Sequence, residues 1–215
     1  MNRLRIRFGR GAELKFISHL DLTRLWYRSL RRAGIALALS EGFNPHPRLS
    51  LAAPLQLGVT SEAEMMDIFT PWPVTPQDFT SLLRSELPAG LSILQVFSVP
   101  LHIPALQAQV GYAEYDVEVR LPEGFDIGRA ISGLLARASI PWHHQRDTGT
   151  KSYDLRPLIV DLSAAGCREV LCSLKMRLRC GAKGTGRPEQ VAKALGLDNP
   201  LSIHRTRLIL EIYDA

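Results

Sequence analysis

The stretch Asn2–Gly34, NRLRIRFGRGAELKFISHLDLTRLWYRSLRRAG, holds two hydrophobic periods side by side. From Asn2 to Phe8, arginine alternates with Leu, Ile and Phe, the two-residue repeat of a strand. After Ser18 the period lengthens, and Leu22, Leu25, Trp26 and Leu30 become the core contacts of a helix. Ser18 is a good N-cap, Asp21 follows three positions on, and Gly34 provides the stop. A strand feeding a helix opens a β-α-β order, which the elements further along complete.

Working outward, IALALS (35–40) reads as a short apolar strand and EAEMMDIFT (62–70) as another. Thr75 caps a predicted helix over 75–87 with Pro76 at its first position, and 90–100 reads as a strand. Between these elements lies LSEGFNPHPRLSLAAPL (39–55), a loop with three prolines and little period. Residues 101–109 read as a linker, and the order then repeats. Strands are predicted at 112–121, 140–146, 169–180 and 202–214, helices at 126–138 and 187–197, and one extra strand at 152–162. The expected fold is α+β, with two tandem ferredoxin-like β-α-β-β-α-β units and antiparallel sheets, over 1–100 and 110–215.

Composition sets the class. The chain of 215 residues is 46% hydrophobic and 22% charged, as in a folded globular protein. Its apolar runs are too short to span a membrane, and the start lacks the apolar core of a signal peptide, so a cytoplasmic location is expected. The three cysteines, Cys167, Cys172 and Cys180, have no CxxC spacing and read as buried thiols in a reducing compartment, with no metal signature. The net charge is +5, but residues 1–48 hold ten Lys/Arg against three Asp/Glu. A local surplus of this kind points to a polyanion, most simply nucleic acid.

Not every basic row carries that meaning. In the second half Lys175, Arg177 and Arg179 share one strand face, as do Arg205 and Arg207, and the first strand of that half puts Glu114, Asp116 and Glu118 on one face. A self-neutralised charge ladder is expected there. In the first half only Glu64, Asp67 or Gln95 stand ready to oppose Arg3, Arg5 and Arg7.

The segment LRIRFGRGAELKFISHLDLTRLWYRSLRRAGIALALSEGFNPHPRLSLAAPLQLGVTSEAEMMDI, with KSYDLRPLIVDL, GTGRPEQVAKALGL and HRTRL, resembles a bacterial family of unknown function. That family is linked or fused to radical SAM proteins and is also found attached to ribonuclease E/G-type proteins. The resemblance implies work on RNA beside a radical SAM protein. This chain lacks a CxxxCxxC cluster, so the resemblance makes it the partner and not the radical-generating subunit. The tandem order is also similar to that of CRISPR repeat-processing endoribonucleases, an analogy of fold only.

Two constellations carry the candidate chemistry. Ser18, His19 and Asp21 open a helix whose Arg24, Arg28, Arg31 and Arg32 recur three or four apart, a stripe suited to a phosphate backbone. In GFNPHPR, Asn44 and His46 each precede a proline, which stiffens a loop offering Phe43 to a base and Arg48 to a phosphate. Whether that loop is displayed or buried is open at this level. His19 and His46 are candidates for metal-independent acid–base cleavage of RNA. A metal held by His19, Asp21 and His46 is disfavoured by the arginines around it. Lys183 and Arg187 lie on a glycine-rich turn into a helix that lacks phosphate-loop spacing. Asp154 and Arg156 read as a structural ion pair. The expectation is an RNA-binding accessory protein of a radical SAM enzyme, without cofactor and without catalysis alone. The alternatives are an endoribonuclease, or a scaffold for a radical SAM subunit.

Overall fold

A computed structural model describes residues 1–146, 149–181 and 184–211. The fold is mixed α+β with mostly antiparallel sheet. It divides into two compact units, one built on Met1–Val110 with the chain end from Leu210, the other on Gly111–Ile209.

The first unit runs β1 (Asn2–Arg10), α1 (His19–Arg32), β2 (Leu49–Leu51), β3 (Thr60–Thr70), α2 (Pro76–Arg84), β4 (Leu91–Ser98) and α3 (Leu106–Gln109). Its strands lie in the order β4-β1-β3-β2, antiparallel throughout. The alternation of β1 sorts its side chains. Leu4, Ile6 and Phe8 join Leu22, Trp26 and Leu30 of α1 and Phe79 and Leu83 of α2 in one core. Phe8 meets Trp26 edge to face, with ring centroids 4.9 Å apart. Burying each such side chain contributes about 1.5–3 kcal/mol, so this core fixes α1 on the sheet.

The second strand differs from expectation. Over 35–40 only Leu39 forms a bridge, to Pro47, and the regular β2 falls inside the predicted loop. Ala38 N–H donates to Phe69 O and Arg48 N–H to Ala38 O, but Pro45 and Pro47 bring no N–H to extend a ladder. Residues 101–109, expected as a linker, contain α3, where Leu106 is fully buried.

The second unit holds β5 (Val110–Arg120), α4 (Ile127–Leu135), β6 (Pro141–Arg146), β7 (Gly149–Asp154), β8 (Ile159–Arg168), β9 (Leu171–Arg179), α5 (Pro188–Ala194) and β10 (Ser202–Leu210). The sheet order is β10-β5-β9-β8, while β6 and β7 form a separate hairpin. The predicted strand at 140–146 is present as β6, but it pairs only with β7, apart from the larger sheet, among the described residues. The run 152–162 is split by a turn of 3-10 helix at Arg156–Leu158, where Pro157 breaks the ladder, and β8 takes the edge place.

The ladder of β5 and β9 is present: Lys175 pairs with Asp116 at 3.1 Å and Arg177 with Glu114 at 2.5 Å. Arg207 approaches Glu114 at 3.6 Å, whereas Arg205 is buried over the Tyr115 ring, so these two arginines do not share an exposed face. Asp154 and Arg156 serve the backbone instead of each other. The Asp154 carboxylate accepts from the N–H groups of Ile140 and Arg156, which hold its pKa below the ordinary value. Arg156 donates to the carbonyls of Leu135 and Ile159. A disulfide joins Cys167 and Cys172 across β8 and β9, and Cys180 is buried outside any disulfide. The reading of three thiols fails because the turn at Glu169, with φ of 52°, folds β8 directly onto β9.

Candidate nucleic-acid interface

The interface is built from α1 upward. The Ser18 hydroxyl accepts from Asp21 N–H at 3.1 Å and donates to the Asp21 carboxylate at 2.7 Å, a reciprocal cap. That hydroxyl, with Arg24 beside it, holds the Asp21 pKa below its ordinary value. With Leu22, Trp26 and Leu30 turned inward, the four-residue row Arg24, Arg28 and Arg32 comes to line an open groove of about 350 Å3. Ile17, Asp21, Leu25, Ser29 and Pro88 complete its walls.

The charges there are partly answered. Arg24 lies 3.4 Å from Asp21, and Arg32 3.0 Å from Glu86. Arg28 makes no ion pair among the described residues. Three guanidinium groups thus meet two carboxylates, and the groove keeps a positive excess on exposed side chains, of which Arg32 is also held by the Ser29 hydroxyl and the Glu86 carbonyl. Arg31 is exposed and lies outside the groove lining. His19 is exposed at the first helical position, where its carbonyl accepts from the Thr23 hydroxyl.

The loop is displayed. Phe43 is fully exposed, as are Asn44 and His46. A small frame holds it, in which Ser40 N–H donates to His46 O and His46 N–H to the Ser40 hydroxyl, at 2.8 and 2.9 Å. Arg48 is half-buried with its guanidinium 3.9 Å from the centre of the Phe69 ring.

The structure does not bring His19 and His46 together. Arg10 donates to the carbonyls of Leu14, Lys15 and Ile17, which ties the start of α1 to the end of β1. Arg48 O accepts from Phe69 N–H, and Phe69 faces Arg3 in the register, which ties the loop to the start of β1. Arg10 lies seven steps along the strand from Arg3, about 23 Å at 3.3 Å per residue. Among the described residues no group of three His, Cys, Asp or Glu is placed to hold a metal. No helix there is long and apolar enough to cross a membrane.

Arg187 stands at the N-cap of α5 in the second unit, 4.0 Å from Glu189, whose carboxyl pKa burial pushes up. Lys183 lies outside the described residues. One charged centre had only a partial signal in the sequence. Arg3 and Arg5, 3% and 4% exposed, both bind Asp67, 1% exposed. The alternation of β1 marked the arginines; the single carboxylate they share is set by register, with Arg5 opposite Asp67.

The sequence pattern of a bacterial family described as uncharacterized conserved proteins, DUF2344, matches residues 3–188. The chain belongs to that family. No curated protein matches it by sequence. In fold, this family member is similar to a chain in a crystal structure of a Cbf5–Nop10–Gar1 complex, with TM-score 0.52 and 9% identity over 95% of this chain and 48% of that one. It is similar also to a chain in a structure of an H/ACA RNP bound to a substrate RNA containing 2'-deoxyuridine, with TM-score 0.50 and 9% identity over 95% and 47%. The chain thus spans about half the length of the chains it matches.

Proposed function

We propose that this chain is an RNA-binding accessory protein that works with a radical SAM enzyme in RNA modification or processing. The observation that carries the RNA-binding half is the row of Arg24, Arg28 and Arg32 along one groove. Such a row, on exposed and flexible side chains, suits successive phosphates. The stiffened loop adds Phe43, whose ring is free for a base to stack on. Similarity in fold to a chain of an H/ACA RNP bound to a substrate RNA is in keeping with this reading. The radical SAM partner rests on the family resemblance carried by FISHLDL and GFNPHPR. We also read the two halves, 1–100 and 110–215, as tandem ferredoxin-like repeats, each with a helix-backed sheet.

In this reading Ser18, His19 and Arg31 border the path of the RNA, and Arg24, Arg28, Arg32, Phe43, Asn44, His46 and Arg48 touch it, while Arg187 of the second unit is a phosphate contact considered by itself. The endoribonuclease alternative gains no support from histidines at opposite ends of β1. The test is fluorescence anisotropy with a labelled mixed tRNA pool. Saturable binding that weakens as salt rises is expected. Absence of binding at low salt ends the reading, and co-purification of a radical SAM subunit free of nucleic acid would favour the scaffold instead.

A further inference from the structure

The sheet of the first unit has a second face, away from α1 and α2, and it is charged. Arg3 donates to Asp67 through Nε at 2.9 Å and Nη2 at 2.5 Å, and Arg5 through Nε at 2.7 Å and Nη2 at 3.0 Å. Arg3 also donates to the carbonyls of Ile103 and Pro104, which folds the 101–106 segment over the sheet. Between that segment and β3 lies a pocket of about 230 Å3. Arg3, Arg48, Ser50, Asp67 and Phe69 line one side, and Leu101, Ile103, Ala105 and Leu106 the other.

Three features of this pocket point to one kind of ligand. First, its charge is unbalanced: Arg3 and Arg48 line it with Asp67, and that one carboxylate is shared with the buried Arg5, so three guanidiniums meet one carboxylate. A buried positive excess is costly until an anion answers it. Second, donors remain. Arg3 spends four of its five N–H bonds, Arg48 keeps Nε and Nη2 without partners among the described residues, and the Ser50 hydroxyl accepts from Gln107 while keeping its own hydrogen. Third, Arg48 covers the Phe69 ring at 3.9 Å, and a guanidinium in that position offers its other face to a planar group. The volume falls below the roughly 300–1,000 Å3 of sites that enclose a drug-sized ligand, so this open pocket seats the phosphate and part of the base of one nucleotide, and a large cofactor does not fit.

We propose that this pocket holds a nucleoside monophosphate group, either a free nucleotide or the terminal nucleotide of an RNA strand. The phosphate meets Arg48, the spare Arg3 N–H and the Ser50 hydroxyl, and the base lies against the Arg48 plane and the wall of Leu101, Ile103 and Leu106. The choice of a nucleotide among phosphate esters rests on the RNA-binding reading; the charge argument stands without it.

The test is titration calorimetry of the full chain with the four nucleoside 5'-monophosphates, the matching nucleosides and inorganic phosphate. Monophosphates are expected to bind at least tenfold more tightly than either nucleosides or phosphate alone. Arg48→Ala, and Ala105→Trp that fills the pocket, should each weaken this binding at least tenfold, with unchanged circular dichroism. Arg24→Ala with Arg28→Ala should leave it intact. Short RNAs with and without terminal phosphate then separate the two sources. Equal binding of nucleoside and monophosphate, equal binding of bare phosphate, or full binding by Ala105→Trp overturns the proposal. If nucleotide binding is absent while the tRNA pool still binds, this pocket assignment falls and the RNA reading stands; the converse result removes the RNA reading alone.

Discussion

Replacing Asp67 by Asn keeps the side-chain shape and removes the one negative charge between Arg3 and Arg5. Both guanidiniums are nearly sealed from water, at 3% and 4% exposure, and the carboxylate accepts from each of them at 2.5–3.0 Å. Breaking a buried ion pair from one side costs about 3–5 kcal/mol, because the remaining charges stay desolvated. Against a total of roughly 5–15 kcal/mol for a domain, that is about a fifth or more of the stability. At about 4 °C per kcal/mol, the melting midpoint of the first unit should fall by about 12–20 °C. Urea unfolding followed by tryptophan fluorescence reads this directly, since Trp26 is fully buried in that unit. The triple change Arg3→Met, Arg5→Met and Asp67→Leu should recover most of the loss, as apolar replacements of whole buried pairs do. As a control, Asp116→Asn, in an exposed pair with Lys175, should cost under about 1 kcal/mol. An Asp67→Asn protein within about 1 kcal/mol of the parent would refute the reasoning, since the arginines would then have water or another partner to turn to.

Phe43→Ala should leave the midpoint unchanged, because the ring is fully exposed, and weaken RNA binding by about 1–3 kcal/mol if a base stacks there; anisotropy checks the second effect and calorimetry the first. Ser18→Ala should raise the Asp21 pKa toward its ordinary value, measurable by NMR titration of the carboxyl carbon. The sign follows from the lowered value: the folded state binds the proton less well than the unfolded, so Asp21 helps the fold at pH above the unfolded value near 3.8 and loses that role as pH falls through the folded pKa. In Ser18→Ala that acid-side loss should shrink. Reduction of the Cys167–Cys172 bond, which closes a short hairpin with sequence separation 5, should cost the second unit about 2 kcal/mol on the chain-entropy account; unfolding with and without reductant, with Cys167→Ser as the reference, reads it.

What the sequence disclosed follows from how local each signal is. The start of α1 was legible because Ser18 and Asp21 settle it between themselves, and the β5–β9 ladder because alternating charges imply their own register. The second strand was not, since Ile35–Ser40 is apolar enough for a strand while the sheet partner was taken by Leu49–Leu51, inside a loop full of prolines. The 101–109 segment looked like a linker because its order depends on distant groups, above all the donors of Arg3 to Ile103 and Pro104. The site divides in the same way. The Arg24, Arg28 and Arg32 row was readable from helical spacing, whereas the display of Phe43, the separation of His19 from His46 and the sharing of Asp67 all depend on register.

The most direct measurement is the salt dependence of binding to the tRNA pool for the parent and for Arg24→Ala with Arg28→Ala. Each phosphate contact adds about 0.9 to the slope of log K against log salt on duplex RNA-like polyanions, so losing two should lower the slope by about 1.8. Between 50 and 200 mM salt the parent should then lose about twelvefold more affinity than the variant. We expect that difference together with an unchanged unfolding midpoint, since both side chains are exposed on the groove. Identical slopes for the two proteins would contradict the assignment of the α1 groove as the RNA-binding surface.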